Sequence, residues 1–338
     1  MSTDTLPPPM MMMSLITAYW VSQCIGAVAR LGVADLLAGG PRSAAELAPE
    51  TKANPDALHR VMRCCASRGV FVMGSDGRFG LTLLGDTLRS GVPGSLRDFA
   101  NAETAPGHWL PWGMLDVSLQ SGAYAAVEAL GDGLFEYYAK HSDEAAAFSR
   151  AMGNLSALVA GEVVRLTDFS ASEVVVDVGG ATGVLVAAVL DANPKSRGVL
   201  LDMPHVVDDA KAHLAARGLA GRAEVVAGDF FADVPAGDTY LLKQILHDWD
   251  DAKALTILRC CRASMRKGGR LVVVEMMLPA DNAPSMAQLM DINMLVLLSG
   301  RERTRDEFAK LFSEAGLKLQ HVKATHSPFF IIEAVPAE

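Results

Sequence analysis

The stretch from Val174 to Gly183, Val-Val-Val-Asp-Val-Gly-Gly-Ala-Thr-Gly, constrains the fold of this chain more than any other. Three β-branched valines followed by Asp177-Val178 predict a strand buried on both faces of a parallel sheet. Gly179, Gly180 and Gly183 let the main chain turn sharply and lie close against a ligand, and Val184 to Leu190 continues as an apolar helix whose N-terminal amides face that ligand. Strand, glycine turn and helix in this order predict an α/β fold with a doubly wound, Rossmann-like sheet and a nucleotide-type site.

Spacing narrows the nucleotide. A dinucleotide fingerprint, Gly-x-Gly-x-x-Gly, needs glycine two places after Gly179, where this chain has Ala181. A nicotinamide oxidoreductase is therefore the weaker alternative. Asp177, two places before the first glycine, suits a cationic or amine-bearing ligand better than a pyrophosphate. S-adenosylmethionine, with a sulfonium, an ammonium and no phosphate, fits that turn; an ordinary strand-to-helix turn is the plainer reading.

From Val174 onward, apolar runs stop at polar residues. Gly198 to Leu201 ends in Asp202, Ala223 to Ala227 leads to Gly228-Asp229-Phe230, Thr239 to Leu242 ends in Lys243, and Arg270 to Val274 ends in Glu275. Ligands of open α/β sheets bind outside the carboxyl ends of the strands, so Asp177, Asp202, Asp229, Lys243 and Glu275 should converge on one crevice. Asp202 is placed to accept ribose hydroxyls, or else to cap the helix before Val206. Asp229 offers an acceptor for an adenine amine and Phe230 an apolar face for its ring, unless this is an ordinary loop.

The 338 residues suffice for two domains, and a net charge of -9 disfavours phosphate-backbone binding as the main task. Five cysteines, at 24, 64, 65, 260 and 261, suit neither a disulfide framework nor a zinc site, and imply a reducing cytoplasm. Thr5 to Ala29 carries no charge, and Met10 to Ala29 is long enough in principle to cross a bilayer. Ser14, Thr17, Ser22 and Gln23 interrupt it, and no basic segment precedes it. A helix buried nearly all round, possibly by a second subunit, is the expectation, with no membrane partner.

Ser43-Ala-Ala-Glu46 has the spacing of a capping box, and Asn54-Pro55 reads as an N-cap with proline in the first helical position. Leu58, Val61, Met62 and Cys65 then share one helix face. Val70 to Val72 and Arg78 to Leu81 flank Ser75-Asp76-Gly77, which predicts a hairpin, and helices with a hairpin make a winged helix. His59, Arg60, Arg63 and Arg68 keep a DNA-binding regulator open as an alternative, against a dimerisation scaffold with no nucleic-acid partner. The expected organisation is a winged-helix dimerisation domain over 1–100, connecting helices lining the acceptor site over 101–168, and a ligand-binding α/β domain over 169–338.

Leu241-Leu-Lys-Gln-Ile-Leu-His247-Asp-Trp-Asp250 is the second decisive stretch. Methyl transfer to an oxygen requires the oxygen to lose its proton as it attacks, and a neutral histidine is a suitable acceptor. Taken alone, His247 is as well explained as a helix-entry or core residue.

The set Val-Asp-Val-Gly-Gly-x-Thr-Gly, Asp-Met-Pro-His-Val, Gly-Asp-Phe-Phe, Leu-Lys-x-Ile-Leu-His-Asp-Trp and Gly-Arg-Glu-Arg-Thr resembles the cation-independent class I S-adenosylmethionine-dependent O-methyltransferases. Plant caffeate, acetylserotonin and bacterial natural-product enzymes belong to that family. The resemblance spans nearly the whole chain and implies a cytoplasmic homodimer joined through its N-terminal domain. It implies that Asp177, Gly179, Gly180, Gly183, Asp202, Met203, Asp229, Phe230 and Lys243 hold S-adenosylmethionine, released as S-adenosylhomocysteine. His247 would be the general base, flanked by Glu275 and Glu302, and no metal is needed. Trp109, Phe148, Met152, Asn293, Met294 and Leu297 lie where relatives hold a small aromatic hydroxylated acceptor, or else pack the domain junction. Two departures stand out. Ala181 replaces a common glycine, harmless if its backbone angle is ordinary, and Phe230 stands where methionine is frequent. Members acting on nitrogen or carbon, or turned to hydroxylation or decarboxylation, remain alternatives.

Overall fold

The computed structural model describes residues 6–204, 206–281 and 283–337. His205 of the Asp202 to Val206 motif lies outside the described residues. The chain divides into two compact units, Met1–Trp109 and Leu110–Glu338, so the boundary falls inside the expected connecting region.

In the first unit, helices Pro8–Ile16 and Ala18–Arg30 follow one another across Thr17. The first buries no residue, and Met10, Met11, Met12, Met13, Leu15, Ile16, Tyr19 and Trp20 are all exposed. The expected all-round burial is therefore not supplied by this chain, whose other elements bury the second helix chiefly at its end, at Gly26, Val28 and Ala29. By length and composition Pro8–Arg30 also matches a membrane-spanning helix.

The capping box forms as the sequence predicts, with Glu46 accepting from the Ser43 amide at 2.7 Å and heading helix Ala44–Thr51. Asn54 accepts from the Ala57 amide at 3.0 Å, and helix Pro55–Ser67 buries Leu58, Met62 and Cys65. Strands β1 (Phe71–Met73) and β2 (Phe79–Leu81) pair antiparallel, completing the winged-helix arrangement around Val33, Leu37, Leu47, Phe71 and Phe79. Arg60, Arg63 and Arg68 are exposed, whereas His59 sets its ring edge-on to Phe79.

The second unit is built on a sheet of β3 (Val174–Val178), β4 (Arg197–Asp202), β5 (Ala223–Ala227), β6 (Gly237–Lys243), β7 (Met265–Leu278), β8 (Arg303–Thr304), β9 (Leu317–Ala324) and β10 (Phe329–Pro336). Its order is β5-β4-β3-β6-β7-β10-β9, with β8 joined to β7. Strands β3 to β7 run parallel, and β10 is antiparallel to both β7 and β9. Period-two alternation sorts side chains to two faces. Val175, Leu241, Val272 and Val274 pack with Val159 and Val163 of helix Ser142–Leu166 and Val189 of helix Val184–Ala192. Val176, Tyr240, Leu242 and Val273 pack with Ile257 of helix Asp251–Ser264 and Phe308 of helix Arg305–Glu314. Strand order reverses between β3 and β6, which opens a crevice at the carboxyl ends of these two strands.

Candidate active site

The crevice begins at β3. Gly179 has φ +68°, and a Cβ there would fall 2.4 Å from Ile245 Cδ1 and 3.7 Å from the Phe230 ring. A side chain is therefore excluded both by backbone conformation and by space. At Gly180 a Cβ would meet the Asp177 carboxylate at 2.8 Å; at Gly183, φ +78°, it would meet Leu200 at 3.0 Å, so that glycine serves helix packing. Ala181 does not meet the condition of an ordinary angle on which its replacement of glycine would be harmless: its φ is +48°, in the left-handed region that favours glycine.

Asp177 is buried, and its Oδ2 accepts from the Val186 amide at 3.3 Å, capping the helix that follows the turn. Burial pushes its carboxyl up to about 7, against the pull of that bond and of Lys243. Asp202 accepts from the Ala181 amide and from the Met203 amide, each at 2.7 Å, so the end of β4 braces the glycine turn. Met203 is exposed. Asp229 accepts from the Phe231 amide at 2.9 Å, and Phe230 forms a cluster with Phe231 and Trp249, their ring centroids 4.9 and 6.3 Å away from its own. Lys243 donates to Gln244 Oε1 and lies over the Phe329 ring; burial pulls its ammonium down to about 8 although Asp177, Asp248 and Glu275 oppose this.

The turn after β6 carries His247, which is 4% exposed. Its Nδ1 donates to Glu302 Oε1 at 2.7 Å, because a carboxylate only accepts, and this assigns the ring proton facing Glu302. Its Nε2 lies 3.3 Å from Asp248 Oδ1. Burial alone would lower the imidazole pKa, but Glu302, Asp248 and Glu275 outweigh it and raise it to about 9. Asp248 is itself pushed up to about 6, chiefly by burial.

Glu275 departs from the expected arrangement in two ways. It lies within β7, which continues to Leu278, and it does not touch the imidazole. Its Oε1 instead accepts from the amides of Ile245, Leu246 and His247 at 3.1, 2.7 and 3.2 Å, and burial pushes its carboxyl up to about 7. Of the two glutamates, Glu302 bonds the ring.

The expected acceptor residues divide between the units. Trp109 belongs to the first, where its ring lies 5.9 Å from Tyr19. In the second, Phe148 and half-buried Met152 sit one turn apart on helix Ser142–Leu166, and Phe148 stacks on Tyr138 at 5.1 Å. Met294 and Leu297 of helix Met286–Leu297 are buried in the same cluster as Tyr138, and so serve as packing behind Phe148. Asn293 accepts from the Trp112 indole at 2.8 Å.

A family model described as an O-methyltransferase domain matches residues 112–318, and one described as an O-methyltransferase dimerisation domain matches residues 13–91. The chain belongs to the O-methyltransferase family. The phenazine O-methyltransferase of Lysobacter antibioticus is 41% identical over 332 residues, covering 98% of this chain and 97% of that protein. The phenazine-1-carboxylate N-methyltransferase of Pseudomonas aeruginosa is 32% identical over 325 residues, covering 95% and 96%. The structure of human N-acetylserotonin methyltransferase in complex with S-adenosylmethionine superposes with a TM-score of 0.92 at 27% identity, covering 100% of both chains.

Sequence reasoning missed several residues around His247 of this O-methyltransferase. Asp248 follows the histidine and was readable as an acid beside it. Asp291 accepts from the Glu302 amide at 2.9 Å, and Arg303, 1% exposed, donates to the carbonyls of Leu246 and Trp249, each at 2.9 Å. Both contacts join segments distant in sequence, and no spacing rule reports them. Among the described residues no cluster suited to a metal ion is found.

Proposed function

We propose that this enzyme methylates a hydroxyl of a small aromatic, natural-product-like acceptor, with S-adenosylmethionine as donor and His247 as general base. The observation that carries the reading is the His247–Glu302 contact at 2.7 Å, buried beside the glycine turn's neighbour Ile245. The donor set suits S-adenosylmethionine. Gly179 leaves room for no side chain, and the strand ends present acids at Asp177, Asp202 and Asp229, chemistry that matches an ammonium, a sulfonium and ribose hydroxyls better than phosphates. When bound, S-adenosylmethionine supplies an electrophilic methyl group.

The chain's own residues do the rest. Phe230, with Trp249 behind it, offers an apolar face for an adenine ring, and Asp202 and Met203 line the path from the turn. A phenol with a pKa of about 10 is mostly un-ionised at neutral pH, so its attack needs a proton acceptor. His247 takes that proton at Nε2, while Glu302 keeps the other nitrogen protonated and stabilises the imidazolium formed. Glu275 holds the turn by its amides. Because Glu302 and Asp248 raise the imidazole pKa, the neutral, competent base becomes populated only as pH rises, so kcat/KM should climb with pH and level off above about 9.

The exposed Met10 to Ile16 face lies within or beside the dimerisation match, and we propose that a second copy covers it, in a cytoplasmic homodimer that needs neither nucleic acid nor membrane. Sedimentation should give a dimer without detergent; a detergent requirement would favour the bilayer.

The test of the reaction is transfer of a labelled methyl group from S-adenosylmethionine to phenols, catechols, hydroxylated polycyclic aromatics and aromatic amines by wild type and His247→Ala. Labelled ether, reduced about 10²–10⁴-fold in the variant, is the expected result. Labelled amine alone would move the acceptor atom to nitrogen, and unimpaired His247→Ala would remove the base.

A further inference from the structure

The turn that carries His247 is held by buried side chains and by one neighbouring segment. Its amides at 245, 246 and 247 converge on Glu275 Oε1, and its carbonyl at His247 accepts from the Arg301 amide at 2.9 Å. Gly300 makes that approach possible, because a Cβ there would fall 1.8 Å from the His247 carbonyl oxygen. Two further carbonyls of the turn, Leu246 and Trp249, accept from Arg303 Nη1 and Nη2, each at 2.9 Å.

We propose that Arg303 is a positioning residue for the base, its guanidinium fixing the main chain of the His247 turn so that the imidazole stays seated on Glu302. Three observations support this beyond the distances. Arg303 is 1% exposed, whereas its ion partner Asp251, reached at 2.9 Å, is 64% exposed in its side chain, so the ion pair is half in water and contributes little by itself. The guanidinium spends its other donors on two neutral carbonyls of one turn, which a planar fork can span and a single ammonium cannot. Glu302 and Arg303 are adjacent in sequence, so one short segment grips both the His247 ring and the carbonyls of Leu246 and Trp249 in the same turn.

The proposal rests on His247 acting as base, and the test separates the two. The imidazole titration of His247 is followed by NMR in histidine-labelled protein, its signal identified by loss in His247→Ala. The charged groups that act on this ring are Glu302, Asp248 and Glu275, and Arg303→Lys leaves all of them and its own charge in place. A changed midpoint therefore reports changed geometry. Arg303→Lys should lower the midpoint by about one unit, a tenfold change in proton affinity. In methyl transfer it should cut kcat roughly 10²-fold while leaving donor affinity and acceptor KM within about threefold, the signature of a displaced group.

Arg303→Gln, which keeps one amide donor and loses the fork, gives a second variant should Arg303→Lys not fold; loss of the positive charge alone would raise the midpoint, so a lowered midpoint with reduced kcat there again reports displacement. A wild-type or raised midpoint in whichever variant folds overturns the proposal, as does a loss of kcat matched by an equal loss of donor affinity. Unimpaired turnover in His247→Ala overturns the base reading and this one with it. An impaired His247→Ala beside a normal Arg303→Lys overturns this one alone.

Discussion

Two turns leave the carboxyl ends of neighbouring parallel strands, and they are made rigid by opposite means. The turn after β3 is built by subtraction: Gly179, Gly180 and Gly183 omit side chains where Ile245, Asp177 and Leu200 leave no room. The turn after β6 is built by addition, with buried Glu275 and Glu302 holding His247 through amide and ring and buried Arg303 holding the adjoining Leu246 carbonyl. Each contains one non-glycine residue in the left-handed region, Ala181 at φ +48° and Gln244 at φ +53°. Binding a ligand along the main chain calls for bare backbone, whereas aiming one proton acceptor calls for fixed charges around it. The two sites therefore fail differently when altered.

The largest effect should come from the added side chains. Glu302→Gln can present an amide donor to Nδ1 and favour the proton on Nε2, the wrong tautomer, so kcat should fall about 10²–10⁴-fold. Glu302 also raises the imidazole pKa, so removing its charge should move the rising limb of kcat/KM to lower pH while the plateau drops. A pH profile in which only the plateau changed would break the assignment of that limb to His247.

Next in size is Gly179→Ala, which meets both a clash with Ile245 and an unfavourable φ. Donor affinity by calorimetry should fall at least about tenfold, with about 1–2 kcal/mol of stability lost to backbone strain. The His247 midpoint should not move, and a shift there would mean that the two turns are coupled through Ile245.

The matched pair of left-handed residues sharpens the contrast with smaller effects. Gln244→Gly relaxes the main chain but releases Lys243, so any gain in stability should come with a few-fold loss of activity, about 1 kcal/mol. Ala181→Gly should be a gain alone, raising stability by up to about 1 kcal/mol with donor affinity unchanged, read as a small rise in Tm. Destabilisation by Ala181→Gly would show that its methyl group packs usefully.

Much of this was legible in the chain itself. Strands β3 to β6, the glycine turn, the Ser43 capping box and the Asn54 cap are local patterns, and local patterns survive translation into structure. Contacts across long separations were not legible. Glu275 was expected beside the imidazole only through the family resemblance, and its oxygen goes instead to three amides 28 to 30 residues earlier. Arg303 and Asp291 act through main-chain atoms, which leave no trace in residue type. The backbone angle at Ala181 is likewise a property of the turn's closure, and alanine does not announce it. The exposed methionines show the converse limit: apolar composition demands a cover without saying which chain provides it.

Strand β10 lies between β7 and β9, although both precede it in the chain. Val272, Val273 and Val274 face Glu333, Ile332 and Ile331 across that junction, so β7 has no neighbour on this side until β10 docks. During synthesis, the wall that carries Glu275 is thus an open strand edge awaiting a segment made later. The order of translation thereby makes closure of the sheet beside Glu275 a late event in folding, and a nascent chain interrupted before Phe329 would hold Glu275 and the His247 turn without the strand that completes their wall.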